Sequence, residues 1–139
     1  MQVNTYLSFN GECEAAFKFY EQCLGGRIAA MFRYEGTPLA ATVPADWSDK
    51  VMHASVVVGG QELMGADVAP EQYEPPKGIS LSLNLGTAAE AERVFGEFAN
   101  GGRIVQPLER TFWSERFGMV IDRFGVPWMI NCEEAPQTS

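Results

Sequence analysis

The 139-residue chain has one histidine, His53, and only ten lysines and arginines against eighteen aspartates and glutamates. A formal charge of -8, with the few basic residues scattered, argues against a phosphate-backbone partner, which needs a clustered basic face. Nucleic acid is therefore not an expected ligand. No stretch approaches the roughly 18 consecutive apolar residues of a membrane helix, so no membrane partner is expected either. The N-terminus shows no basic segment followed by an apolar run and a small-residue cleavage site, and a cytoplasmic location is the expectation. Cysteine is scarce: Cys13, Cys23 and Cys132 lie far apart with no CxxC spacing, and read as buried free thiols rather than metal or redox groups. What is present is an ordinary globular composition, 46% apolar, long enough to bury one core without disulfides or a structural metal.

An internal repeat organises the chain, and such repeats outrank local signals. Gly25-Gly26-Arg27-Ile28 recurs 76 residues later as Gly101-Gly102-Arg103-Ile104, and at the same offset Leu7 falls on Leu83, Glu14 on Glu90, Ala15 on Ala91 and Phe19 on Phe95. Each half opens with an alternating strand, near 3–9 and then Ile79 to Leu85. A helix follows in each. The first runs from Glu12 to Leu24 with Cys13, Ala16, Phe17, Tyr20 and Leu24 at helical spacing. The second follows a Thr87-x-x-Glu90 capping box and buries Ala91, Val94, Phe95 and Phe98. Both Gly-Gly pairs are expected to stop these helices. Strands are predicted over Arg27 to Tyr34, Val51 to Val58 and Gln61 to Ala66, then Arg103 to Gln106, Phe117 to Asp122 and Pro127 to Cys132, with turns at Gly59-Gly60 and Asp122 to Gly125. The result is an α+β fold of two tandem βαβββ modules, about 1–67 and 79–134, within a single domain. The proline-rich residues 68–78 form a linker without an element of its own.

Alternation also assigns faces. In the second half Ile79, Leu81, Leu83 and Leu85 face the helix, leaving Ser80, Ser82 and Asn84 on the other side; the repeat carries that polar row to Asn4, Tyr6 and Ser8. Such rows line either a partly enclosed cavity or a solvated sheet face, and the cavity is preferred.

The segments Tyr6 to Tyr20, Val51 to Ala54, Phe112 to Val120 and Asp122 to Asn131 resemble PhnB-like proteins of the glyoxalase/bleomycin-resistance/dioxygenase, or vicinal-oxygen-chelate, superfamily over nearly the whole chain. The resemblance implies curved mixed sheets forming a cup with the helices outside, a small-molecule ligand and a homodimer. It also implies metal-ligand positions at Asn4 or Thr5, His53, Ser80 or Leu81, and Met129, the repeat relating 53 to 129. Only His53 is a good ligand in that set. Glu62, Asp67, Glu109, Asp122 and Glu133 fall outside the pattern, so no metal or other cofactor is expected, the alternative being one divalent ion near His53.

His53 is thus a candidate catalytic or hydrogen-bonding group, or else a structural histidine. The candidate ligand-binding residues are Asn4, Tyr6, Ser8, Ser80, Ser82, Asn84 and Met129, with Trp113 and Arg116 from an extended loop that also holds Arg110 and Phe112. That loop is read as a lid over the cup or as a subunit contact, with the contact preferred. Trp128 is read as core, and Trp47 is unassigned. Two functions compete: a binding protein or metal-independent enzyme using the polar cup, and a metal-dependent lyase or dioxygenase. A methyltransferase role, which a label of the family suggests, is disfavoured: there is no glycine-rich strand-to-helix turn for an adenosyl cofactor and no room for a doubly wound domain.

Overall fold

The computed structural model describes residues 1–133, so the expected end of module two at 134 lies outside the described residues. Its elements are β1 (Thr5–Phe9), α1 (Cys13–Leu24), β2 (Arg27–Arg33), β3 (Val51–Val58), β4 (Gln61–Asp67), β5 (Leu81–Leu85), α2 (Ala88–Ala99), β6 (Arg103–Glu109), β7 (Ser114–Ile121) and β8 (Pro127–Glu133). The chain divides into two compact units, Met1–Glu74 and Pro75–Ser139. Each holds one four-stranded mixed sheet, ordered β1-β4-β3-β2 in the first and β5-β8-β7-β6 in the second. In both, the first strand runs parallel to the last and the others are antiparallel. The βαβββ order is therefore present twice.

Each helix covers one sheet face. In the first unit Cys13, Ala16, Phe17 and Tyr20 of α1 are fully buried, over Leu7, Phe9, Ala54 and Val56. The ring of Phe17 descends to the sheet because β4 carries Gly65 there: a Cβ at that position would lie 2.9 Å from the ring. Gly118 plays the same part in the second unit, where a Cβ would come within 2.7 Å of Phe95. Trp128 is 2% exposed and meets Phe98 edge-on at 5.0 Å, as expected of a core residue. The three cysteines are buried and free. Gly25 ends α1 in the left-handed conformation (φ 68°), whereas α2 passes through an extended Asn100 before Gly101 takes φ 74°. Thr87 Oγ1 accepts the Glu90 N–H at 3.1 Å, the expected cap.

Several boundaries differ from the sequence reading. The first strands begin two residues late, at Thr5 and Leu81, so Ile79 stands 59% exposed instead of facing the helix. β6 reaches Glu109 through two register shifts, an edge strand that tolerates Pro107. β7 starts at Ser114, placing Arg116 in a strand rather than in a loop. The linker contains a short 3-10 turn, Pro70–Gln72. Trp47 belongs to a similar turn, Ala45–Trp47, in the β2–β3 connection and lies against Gly11.

A buried carboxylate fastens the first unit. Asp67, at the end of β4, accepts the Cys13 N–H through Oδ1 and the Val51 N–H through Oδ2, each at 2.9 Å, while its carbonyl accepts the Tyr34 hydroxyl at 2.6 Å. Burial pushes its carboxyl above the ordinary aspartate value, against those N–H donors, which pull it down. In Asp67→Asn an amide N–H must face one of the two backbone donors. The substitution is expected to destabilise the protein by about 1–3 kcal/mol, seen as a lower urea midpoint; an unchanged midpoint would contradict this role.

Glu14 of α1 ties its helix to β2. It accepts from Arg33 Nη1 and Nη2 at 2.9 and 3.0 Å and meets Lys18 Nζ at 2.9 Å. Hydrogen bonds from Arg33, then from Lys18, hold its carboxyl down to about 2. Because that lies below the unfolded value of about 4.3, the unfolded chain binds the proton first as the pH drops. The stabilisation is present above the unfolded value and is lost as the pH falls through about 2. Glu14→Gln should therefore melt below wild type at pH 6, with the gap closing between about pH 4.3 and about 2; a gap independent of pH would refute the linkage.

Candidate functional site

Residues paired across a sheet point to the same side, so the ladders define the face of each sheet that its helix leaves open. In the first unit one row is Tyr6, Met64, Ser55 and Ala30. Beside it lie Ser8 with Ala66, and His53 opposite Phe32. Tyr6 and His53 meet: Oη lies 3.3 Å from Nδ1 and the ring centroids are 5.8 Å apart. Burial raises the Tyr6 phenol above its ordinary value, so it keeps its proton and can donate to an unprotonated Nδ1. A neutral imidazole in that pairing carries its own proton on Nε2. Ser55, 5% exposed, has a buried hydroxyl without a hydrogen-bond partner among the described residues.

The open face of the second unit is built from Ser82, Met129, Met119 and Gln106 in one row, and Asn84, Asn131, Phe117 and Glu109 in the next. Asn131 Nδ2 donates to Asn84 Oδ1 at 3.0 Å, and Ser114 Oγ lies 2.7 Å from Asn131 Oδ1. Trp113, 53% exposed, rests edge-on against Phe117 at 5.7 Å and against Phe112 at 4.7 Å.

Of the residues singled out in the sequence, Tyr6, Ser8 and His53 share one open face, and Ser82, Asn84 and Met129 share another. Trp113 reaches the second through Phe117. Asn4 and Ser80 are exposed and precede their strands. Arg116 goes elsewhere: it pairs with Cys132, on the helix side, and its guanidinium meets Glu92 of α2 at 3.1 Å and Glu115 at 3.4 Å. A guanidinium engaged by two carboxylates there does not point to the open face.

The expected correspondence of His53 with Met129 also fails, because it assumed a constant offset. The β2–β3 connection covers residues 34–50, whereas β6–β7 is joined by 110–113 alone. The ladders instead match His53 with Phe117, Met64 with Met129, and Ser55 with Met119. Ser55, Phe32 and Asn131 were missed in the sequence. Counting two residues on from His53 and from Met129 would have found Ser55 and Asn131.

The side chains present do not form the metal centre of the superfamily kind. The neighbours of His53 on its face are a phenol, a hydroxyl, a methyl group and a phenyl ring, none of them a good ligand for a divalent ion. Asp67 and Asp122 are committed to holding backbone: Asp122 Oδ1 accepts the N–H groups of Phe124 and Val126 at 2.9 and 3.0 Å, and Oδ2 accepts Trp128 Nε1 at 2.9 Å. Among the described residues no three His, Cys, Asp or Glu side chains cluster to hold a metal ion.

Comparison with known proteins gives a consistent family. Residues 1–131 match the family model described as 3-demethylubiquinone-9 3-methyltransferase. The chain is 33% identical to Protein YjdN of Escherichia coli strain K12, covering 94% of this chain and 95% of that one. The crystal structure of protein PA1353 from Pseudomonas aeruginosa is 50% identical over 97% of this chain and 99% of its own, with a TM-score of 0.87. The PhnB protein from Bacillus cereus is 28% identical over 95% and 99%, with a TM-score of 0.82. A glyoxylase/bleomycin resistance protein/dioxygenase domain from Frankia, 10% identical with a TM-score of 0.63, shares the fold.

Proposed function

Because the chain belongs to the family described as 3-demethylubiquinone-9 3-methyltransferase, the PhnB-like branch of the glyoxalase/bleomycin-resistance/dioxygenase superfamily, we propose that it binds a small organic molecule on the open sheet face around His53 without a metal ion between them. The observation that carries this reading is the buried, unpartnered Ser55 hydroxyl in the row of Tyr6, two residues along the strand from His53. A buried hydroxyl without a partner costs stability, and natural sheets seldom keep one idly. A ligand oxygen can bond the hydroxyl of Ser55 and the Nε2–H of His53 while an apolar part lies on Phe32 and Met64.

Binding comes first in this reading, and His53 is the group available for proton transfer if a reaction follows. The family description names a methyl transfer, but two four-stranded mixed sheets are not the doubly wound parallel sheet that receives an adenosyl cofactor at a glycine-rich turn. Fold and family together do not assign a reaction.

A ligand-observed NMR screen of small neutral carbonyl and hydroxyl compounds, run on wild type, Ser55→Ala and His53→Ala, tests the proposal. Ser55→Ala should fold with unchanged or slightly higher stability, by up to about 1 kcal/mol, because it removes an unsatisfied group. Both variants should lose affinity for the same hits, roughly tenfold for His53→Ala. Hits that both variants bind as well as wild type, or that bind only with added Zn(II) or Mn(II), would overturn the reading and, in the second case, favour a metal-dependent lyase or dioxygenase.

A further inference from the structure

The first unit contains a second feature of ligand size. A cavity of about 420 Å³ opens at the start of β1 and the β3–β4 hairpin, within the range of small-molecule sites. Its polar lining is Gln2, Asn4, Thr5, Gln61 and Glu62, and its apolar lining Val3, Val57 and Leu63. Glu62 pairs across the ladder with Val57, so a carboxylate and an isopropyl group stand side by side in the wall. The hairpin is shaped by Gly59 and Gly60, both with positive φ (57° and 78°), which fixes the strand ends that form this wall. The Tyr6–Met64–Ser55 row is the next one along the same face, so the cavity lies at the hairpin end of that face, with Val57 four residues along β3 from His53.

We infer that this cavity takes a small organic cation, a primary ammonium on a short aliphatic stem. Glu62 is the single charged side chain in the lining, and among the described residues it has no ion pair or side-chain hydrogen bond of its own. Three carboxamides and a hydroxyl supply acceptor oxygens for the remaining ammonium protons, and Val57 and Leu63 offer a surface for the stem. The protein's net charge of -8 favours approach of a cation and disfavours the isosteric carboxylate.

The probe is n-butylammonium, with n-butanol and butyrate as isosteres, titrated into the intact protein while backbone amide shifts are followed by NMR. The cation is expected to give saturable shifts at Gly60, Gln61 and Leu63, with weaker binding of butanol and of butyrate. Glu62→Gln should weaken the cation about three- to fivefold, the scale of a solvent-accessible ion pair, and added salt should weaken it in wild type. Glu62 is exposed, so the variant is expected to keep its fold, and Glu90→Gln on α2 serves as the charge-matched control with affinity unchanged. Absence of saturable shifts at these amides, equal binding of butyrate, or equal affinities in Glu62→Gln and wild type would overturn the inference. Because Ser55 and His53 do not line the cavity, either outcome is distinguishable from that of the ligand screen on Ser55→Ala and His53→Ala.

Discussion

The first unit depends on the Asp67 carboxylate more than on any other polar group. Its two oxygens reach the first residue of α1 and the first residue of β3, and its own carbonyl receives the hydroxyl of Tyr34 just beyond β2. Three segments distant in sequence are thereby fixed to one residue at the end of β4. This register places α1 over Gly65, lets Phe17 descend onto the sheet, and leaves Tyr6, Ser8, Ser55 and His53 on the uncovered side. The second unit places its buried carboxylate differently. Asp122 closes the β7–β8 turn and holds the Trp128 indole, so it secures a hairpin and a core ring rather than the start of a helix.

Much of the fold was legible because its determinants are local. Helical spacing marked α1 and α2, Thr87 capped the second helix, and Gly59-Gly60 and Asp122 to Gly125 formed the turns their composition suggests. Strand termini were less legible: whether Ile79 pairs or points to water depends on where β8 begins, which no local signal near Ile79 records. The strand identity of Ser114 and Arg116 was hidden for a related reason. Their segment carries charged and aromatic residues without clean alternation, and it is the pairing with Cys132 and Glu133 that extends it.

The candidate site was legible only on the strand where alternation is strict. Tyr6, Ser8, Ser82 and Asn84 all stand on open faces because their neighbours Leu7, Phe9, Leu83 and Leu85 are drawn to the helices. The residue types made Arg116 look like an anion contact, but a guanidinium within reach of Glu92 and Glu115 already has its counter-charges. Ser55 escaped notice because a serine in a run of valines reads as filler, and its meaning appears only when burial and the absence of a partner are seen together.

The duplication also constrains the chemistry. Paired positions in the two sheets have diverged in kind: His53 is matched by Phe117, Tyr6 by Ser82, Ala66 by Asn131. A centre that draws equivalent ligands from both modules requires donors at matched positions, and these pairs offer at most one good donor each. The first face carries an imidazole, a phenol and hydroxyls, whereas the second carries a carboxamide pair, two thioethers, the Glu109 carboxylate and a phenyl ring braced by Trp113. Two faces of one ancestral pattern have therefore become unequal in chemistry, one carrying an imidazole beside a phenol and the other a carboxamide pair beside thioethers and aromatic rings.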